Sequence, residues 1–218
     1  MMFNQFSKLL ISYLPENLID NKEVSFLWEE YLETEKYWER NLSKVDNVKL
    51  IILGEAPLNS NSYIYNKASK DTSFLYAKHI KNIHRHRFNN SANCQILNKI
   101  DLMNELGIVV IDLFPYSFSS ATKFNYRNID SISNKTILPS SSHNQLLKTI
   151  FKESSEWHFN KKVADIVERS QENYSFVYRY NALKNLELEI PNHKNIESIG
   201  KSYDLDFLKL KDQYFGNL

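Results

Sequence analysis

The chain has 218 residues, 42% of them hydrophobic, and a formal net charge of +1. That length supports one α/β domain with a sizeable core, and the hydrophobic share excludes a disordered chain. The near-neutral charge excludes a strong global field for nucleic acid, so a nucleic-acid role requires a local basic patch.

The first residues hold a short apolar patch, Leu9-Leu10-Ile11-Ser12-Tyr13-Leu14, with one lysine nearby and no small-residue cleavage site after it. A signal peptide is therefore not expected in this stretch. No apolar run approaches the roughly 18 residues of a membrane span, so a cytoplasmic protein without membrane contact is expected. Residues 3–14 suit a short amphipathic helix. Asn21 is a candidate cap for a longer helix, about 22–42, in which Val24, Leu27, Trp28, Tyr31 and Trp38 recur near helical spacing. A packing helix that covers a sheet is the plain reading of that stripe.

Val48 to Leu53, broken only by Lys49, is a dense apolar run that stops at Gly54. A run without polar alternation is the pattern of a strand buried on both faces. Gly54 permits a turn and Pro57 ends strand pairing. Glu55 and Ala56 are thereby placed at the carboxyl end of a central parallel strand, the edge where open α/β sheets bind ligands. The aromatic patch Ser62-Tyr63-Ile64-Tyr65-Asn66 follows. Residues 72–84 read as a helix. The segment 79–87 is the one concentrated basic stretch, and its Arg85 and Arg87 are candidates for a phosphate backbone. His84 and His86 have no nearby carboxylate or cysteine, which argues against a metal site. Cys94 is the single cysteine, so neither a disulfide framework nor a cysteine-rich zinc site can form within the chain.

Residues 94–106 are helical by pattern, with Gly107 as a natural stop. Ile108 to Asp112 repeats the earlier logic: an apolar run, an acid, then Phe114 and Pro115. Residues 117–142 are rich in Ser, Asn and Thr and read as a long surface excursion. Helical pattern resumes from about His143, and Ser155 is a candidate cap for 156–170. A third strand is expected over 175–181, ending at Asn181, then a helix over 182–188. A fourth strand, 195–199, ends at the turn Gly200-Lys201-Ser202, and a helix over 204–215 closes the chain. The alternating order predicts a three-layer α/β/α fold with a mostly parallel four-stranded central sheet. One domain spans 1–218, with 1–45 as an N-terminal helical extension packed on it.

The strand ends collect Glu55, Asp112 and Asn181, joined by Lys201. Two carboxylates, a carboxamide and a lysine around one cleft support acid–base or electrostatic chemistry. Tyr63, Tyr65, Phe114 and Tyr116 offer flat surfaces for a base. Gly200 and Ser202 open a helix whose N–H groups can hold a phosphate. Each residue also has a bland reading: Glu55 and Asp112 as turn-bonding carboxylates, the tyrosines as core. The turn at 200–202 is not a Walker A loop.

Leu53-Gly54-Glu55-Ala56-Pro57, followed by Ser62-Tyr63-Ile64-Tyr65-Asn66, resembles the first motif of the uracil-DNA glycosylase superfamily. The strand ending Ile111-Asp112-Leu113-Phe114-Pro115 and the turn Ser198-Ile199-Gly200-Lys201-Ser202 match that family by order and position. The resemblance implies a DNA glycosylase that flips a damaged or modified base and hydrolyses its N-glycosidic bond without metal or cofactor. It casts Glu55, Asp112 and Lys201 as catalytic. Gly54, Ala56, Pro57, Tyr63, Tyr65, Asn66, Phe114 and Asn181 would surround the base. Gly200, Ser202, Arg85 and Arg87 would hold DNA phosphates. The partner would be single- or double-stranded DNA, or a nucleoside or nucleotide, bound by a monomer. The chain departs from the family in having Ala56 for the water-activating aspartate, Gly200-Lys201 for the histidine of the second motif, and Asp112 for asparagine. Two alternatives stand beside the enzyme: an inactive nucleic-acid- or nucleotide-binding relative, which these departures motivate, and a small-molecule α/β hydrolase or transferase, which the near-neutral charge of +1 keeps open. Neither a Gly-x-Ser-x-Gly elbow nor a Gly-x-Gly-x-x-Gly loop is present.

Overall fold

The computed structural model describes residues 3–57, 59–69, 99–118, 122–170, 175–178 and 196–198. The expected helices over 72–84, 182–188 and 204–215 lie outside them, as do Arg85, Arg87, Cys94, Asn181, Gly200, Lys201 and Ser202.

Two helices lead, α1 (Phe3–Tyr13) and α2 (Asn21–Leu42). The cap of α2 is Asp20, not Asn21. Its carboxylate accepts from the N–H groups of Lys22 and Glu23, both at 2.9 Å, while Glu23 bonds back to the Asp20 N–H at 3.0 Å. This reciprocal box satisfies orphan donors from both sides of the helix start, which Asn21 cannot do from inside the first turn. Phe6 of α1 is fully buried and packs edge-on to Trp28 of α2 at 5.0 Å and to Tyr116 at 5.1 Å. The N-terminal helices therefore share the core with the later chain.

Strand β1 (Leu50–Gly54) pairs in parallel with β2 (Ile108–Asp112), Leu50 opposite Ile108 and Gly54 opposite Asp112. Every residue of both is buried, which is why their sequences show no polar alternation. Each aliphatic side chain so buried contributes roughly 1.5–3 kcal/mol. On its other side β1 pairs in parallel with β3 (Ser175–Tyr178), and β3 with β4 (Ile196–Ser198), giving the order β2-β1-β3-β4. The chain is an α/β protein. Helix α3 (Lys99–Leu106) leads into β2. It stops at Gly107, whose φ of +68° is left-handed and whose Cβ would collide with the Asn47 carbonyl. The Gly107 carbonyl accepts from Lys49 and Leu50, so this turn also sets where β1 begins. Val48 is buried but precedes the strand.

Two expectations of the middle region need correction. Residues 117–142 are not wholly a surface excursion. Ser117, Phe118, Thr122, Phe124, Asn125 and Asn128 are buried, and Phe118 stacks edge-on to Phe124 at 5.0 Å. Asn128 substitutes for a strand partner: its amide donates to the Leu138 carbonyl at 2.7 Å and accepts from the Leu138 N–H at 2.9 Å. Its polarity serves neighbouring backbone rather than solvent. Ser155 does not cap a new helix either. Helix α4 (Ser140–Ser155) runs through a wide π turn (Glu156–Asn160) into α5 (Lys161–Val167). Ser155 keeps helical angles, and its hydroxyl bonds back to the Lys152 carbonyl at 3.1 Å. Among the described residues, no helix is long and apolar enough to cross a membrane.

Candidate functional site

The strand order places β1 between β2, which follows it in sequence, and β3, which lies on the opposite side. Such a reversal opens a crevice beyond the carboxyl ends of the strands. Glu55 is the first residue past β1. Pairing continues beyond the strand: Leu113 N–H donates to Gly54 O at 3.1 Å and Phe114 N–H to Glu55 O at 3.0 Å. The backbone of Glu55 is thus fixed while its side chain stays half-buried. The loop after it is pinned to α2, where Glu30 accepts from the Ser60 hydroxyl at 3.0 Å and from the Ser60 N–H.

Gly54 and Asp112 face each other in register, and a Cβ on Gly54 would collide with Asp112 Oδ1. The missing side chain is what makes room for the carboxyl group. Asp112 is 7% exposed. Burial pushes its pKa up to about 7; Lys162 opposes this, and Glu35 and Glu55 add to it. The Glu55 carboxyl is also raised, by burial first, with Arg127 opposing. These two carboxylates are brought together by neighbouring parallel strands. Around neutral pH, Asp112 exists in both forms, so it can donate as well as accept a hydrogen bond.

Beneath Asp112 lies a polar cluster that periodicity did not single out. Lys162 Nζ stands 2.5 Å from Glu35 Oε1 of α2 and 4.9 Å from the centre of the Trp38 ring. His158 Nε2 lies 3.1 Å from the Asp112 carbonyl oxygen. A carbonyl only accepts, so Nε2 carries the proton. His158 is 2% exposed; burial lowers its pKa well below the ordinary value, and the Lys162 charge lowers it further. The ring is therefore neutral, with Nδ1 a bare acceptor 3.8 Å from Glu35 Oε1. His158 lies in the π turn and Lys162 four residues on. Turns of this kind recur at functional sites. The only sequence signal for the cluster was a histidine and a lysine interrupting an otherwise ordinary helical pattern.

The predicted aromatic wall divides. Tyr63 and Phe114 are 3% and 1% exposed and belong to the core. Tyr65 is buried as well, and its hydroxyl accepts from the Val110 N–H at 2.6 Å and donates to the Val110 carbonyl at 2.9 Å. Among the described residues no strand pairs with β2 on that side, and Tyr65 takes up those edge groups. Its ring packs edge-on to Trp38 at 5.6 Å and to Tyr63 at 5.5 Å. Asn66 is committed to the Ser60 carbonyl and the Ala68 N–H, both at 2.9 Å. Ala56 packs against the core and Pro57 is buried. The ring nearest to a stacking surface is instead Tyr126. It is half-buried, stacked at a tilt on Phe114 at 5.2 Å, with its hydroxyl bound to the Tyr116 carbonyl at 2.8 Å. Arg127 beside it is exposed.

The arrangement supplies a proton donor–acceptor at Asp112, a carboxylate at Glu55, and a buried cation at Lys162 that opposes the rise at Asp112. Among the described residues, no group of three or more His, Cys, Asp or Glu side chains is placed to hold a metal ion. Comparison with protein families, with curated proteins and with solved structures found no match to this chain.

Proposed function

We propose that the chain is a DNA glycosylase-like enzyme that hydrolyses the N-glycosidic bond of a damaged or modified base. The observation that carries this reading is the pairing of Glu55 and Asp112 at adjacent parallel strand ends, with the Asp112 pKa pushed up to about 7. Matching a catalytic acid to the working pH is how proton transfer is made efficient. Protonated Asp112 donates to the leaving base as the C1′–N bond breaks. The Glu55 carboxylate stabilises the cationic sugar and accepts a proton from the water whose oxygen bonds to C1′. Solvent exchange then returns both groups to their starting forms. Tyr126 offers the stacking face and Arg127 a phosphate contact. In this reading Lys201, Gly200, Ser202, Asn181, Arg85 and Arg87 keep the roles implied by the resemblance. The fold is the three-layer α/β/α arrangement with a four-stranded, mostly parallel sheet, and the protein works as a cytoplasmic monomer on DNA.

Two observations favour a second reading. Asp112 is nearly buried, and Ala56 supplies no carboxylate for water activation. A non-catalytic relative that binds a nucleotide or nucleic acid needs neither feature changed. A glycosylase assay separates the two. Oligonucleotides carrying uracil, hypoxanthine, xanthine or modified cytosines are incubated with the protein and with its Glu55→Gln and Asp112→Asn variants, and abasic sites are revealed by alkaline cleavage. Abasic product that fades in either variant supports the enzyme. Salt-dependent DNA binding without product on any substrate supports the binding relative. Neither product nor binding rejects both.

A further inference from the structure

A cavity of about 370 Å³ opens where the end of α2 meets the 66–68 turn, and neither Glu55 nor Asp112 lines it. Among the described residues that line it, the charged ones are Arg40, Lys44 and Lys67. All three cations are exposed at its rim. Glu33, which does not line the cavity, is engaged by Lys36 at 3.1 Å and by the Tyr37 hydroxyl, and its charge also acts on Arg40. Three cations around one concavity, Arg40 partly countered by Glu33, focus a positive field on it. That alone describes a solvated basic rim.

Asn41 adds an independent observation. It lines the cavity and is only 3% exposed, yet neither its amide nitrogen nor its carbonyl oxygen has a hydrogen-bond partner. Buried carboxamides are normally satisfied, and an orphan pair calls for an absent partner. Asparagine presents two donors and an acceptor side by side, which complements a planar ring edge bearing the converse groups. Tyr37, half-buried in the same wall, supplies an aromatic face. The volume lies within the roughly 300–1,000 Å³ typical of small-ligand sites and is far more than one phosphate fills.

We infer that this cavity binds a small phosphorylated ring compound of mononucleotide size, its phosphate at Arg40, Lys44 and Lys67 and its ring edge on Asn41. The site is independent of the Glu55–Asp112 chemistry and stands or falls separately from it. Helix α2 serves both places: Glu35 reaches the polar cluster and Asn41, six residues later, reaches the cavity.

The test is calorimetric titration of the full chain with adenosine and uridine 5′-monophosphates, inorganic phosphate and a single-stranded oligonucleotide. Saturable binding of a monophosphate is expected, tighter than that of inorganic phosphate. Arg40→Gln and Lys44→Gln each weaken it about tenfold, as loss of one charge-assisted contact does. Both side chains are exposed, so these variants keep the fold, which Tm verifies. Asn41→Leu removes the preference for the nucleotide over inorganic phosphate without lowering Tm. No binding at millimolar nucleotide overturns the inference. So does binding unchanged in the three variants, equal affinity for inorganic phosphate, or binding of the oligonucleotide alone.

Discussion

Replacing Asp112 by asparagine makes the protein more stable at alkaline pH and no more stable at acid pH. The carboxyl group has an ordinary value of 3.8 and is pushed up to about 7 in the folded chain. Between those values the folded protein holds a proton that the unfolded chain has released. Stability is therefore intact below about pH 4 and falls as pH rises through the window up to about 7, where the cost is complete. The interval, at about 1.36 kcal/mol per pH unit, comes to about 4 kcal/mol. An amide of the same shape does not titrate and escapes this cost. Urea unfolding of the two proteins, repeated across pH 4 to 9, measures the difference directly. The variant is expected to gain steadily on the wild type as pH rises and to level off above neutrality. Parallel stability curves, or a variant that loses ground at high pH, would refute the claim that Asp112 is buried with its proton.

Gly54→Ala pushes a methyl group onto Asp112 Oδ1 and is expected to cost roughly 1–3 kcal/mol, as overpacking does; in a double-mutant cycle with Asp112→Ala most of that cost disappears, and additive costs would contradict the contact. Tyr65→Phe strands the outward N–H and carbonyl of Val110. The expected loss is about 1–3 kcal/mol, with faster amide exchange at Val110; unchanged exchange would show that another group covers the edge. Lys162→Met leaves Glu35 without its cation and is expected to destabilise by somewhat less than the ~3–5 kcal/mol of a fully buried pair, because Glu35 keeps 15% exposure. The same variant raises the Asp112 pKa further and Glu35→Gln lowers it, since the two charges act on it in opposite directions. The pH dependence of stability moves accordingly, and movement in the same direction in both variants would exclude the assigned field.

The strands were legible because their signal is local. Leu50 to Leu53 and Ile108 to Ile111 are buried on both faces, and uninterrupted apolar runs ending in a glycine and an acid announce that burial without reference to any partner. The long second helix was equally plain from its apolar spacing, although its cap was misplaced by one residue. A capping box depends on Asp20 and Glu23 bonding each other's backbone, which composition near Asn21 does not distinguish. The 117–142 segment misled because asparagine and serine suggest solvent-seeking side chains, whereas Asn125 and Asn128 are buried and donate their amides to the Ile129 and Leu138 carbonyls.

Sequence by itself determined that Glu55 and Asp112 would stand at strand ends, because each terminates its own apolar run. Only the tertiary structure decided what surrounds them. Glu35 and Lys162 are 127 positions apart and meet because α2 packs across the π turn between α4 and α5. Tyr65 looked like a stacking surface, but the core folds its hydroxyl onto the Val110 backbone at the edge of β2, where no described residue forms a further strand. Hydrophobic periodicity is a property of one segment and can be read in place. The partner of a buried charge or hydroxyl is chosen by whichever distant group the packed core brings within bonding distance, and no local pattern records it.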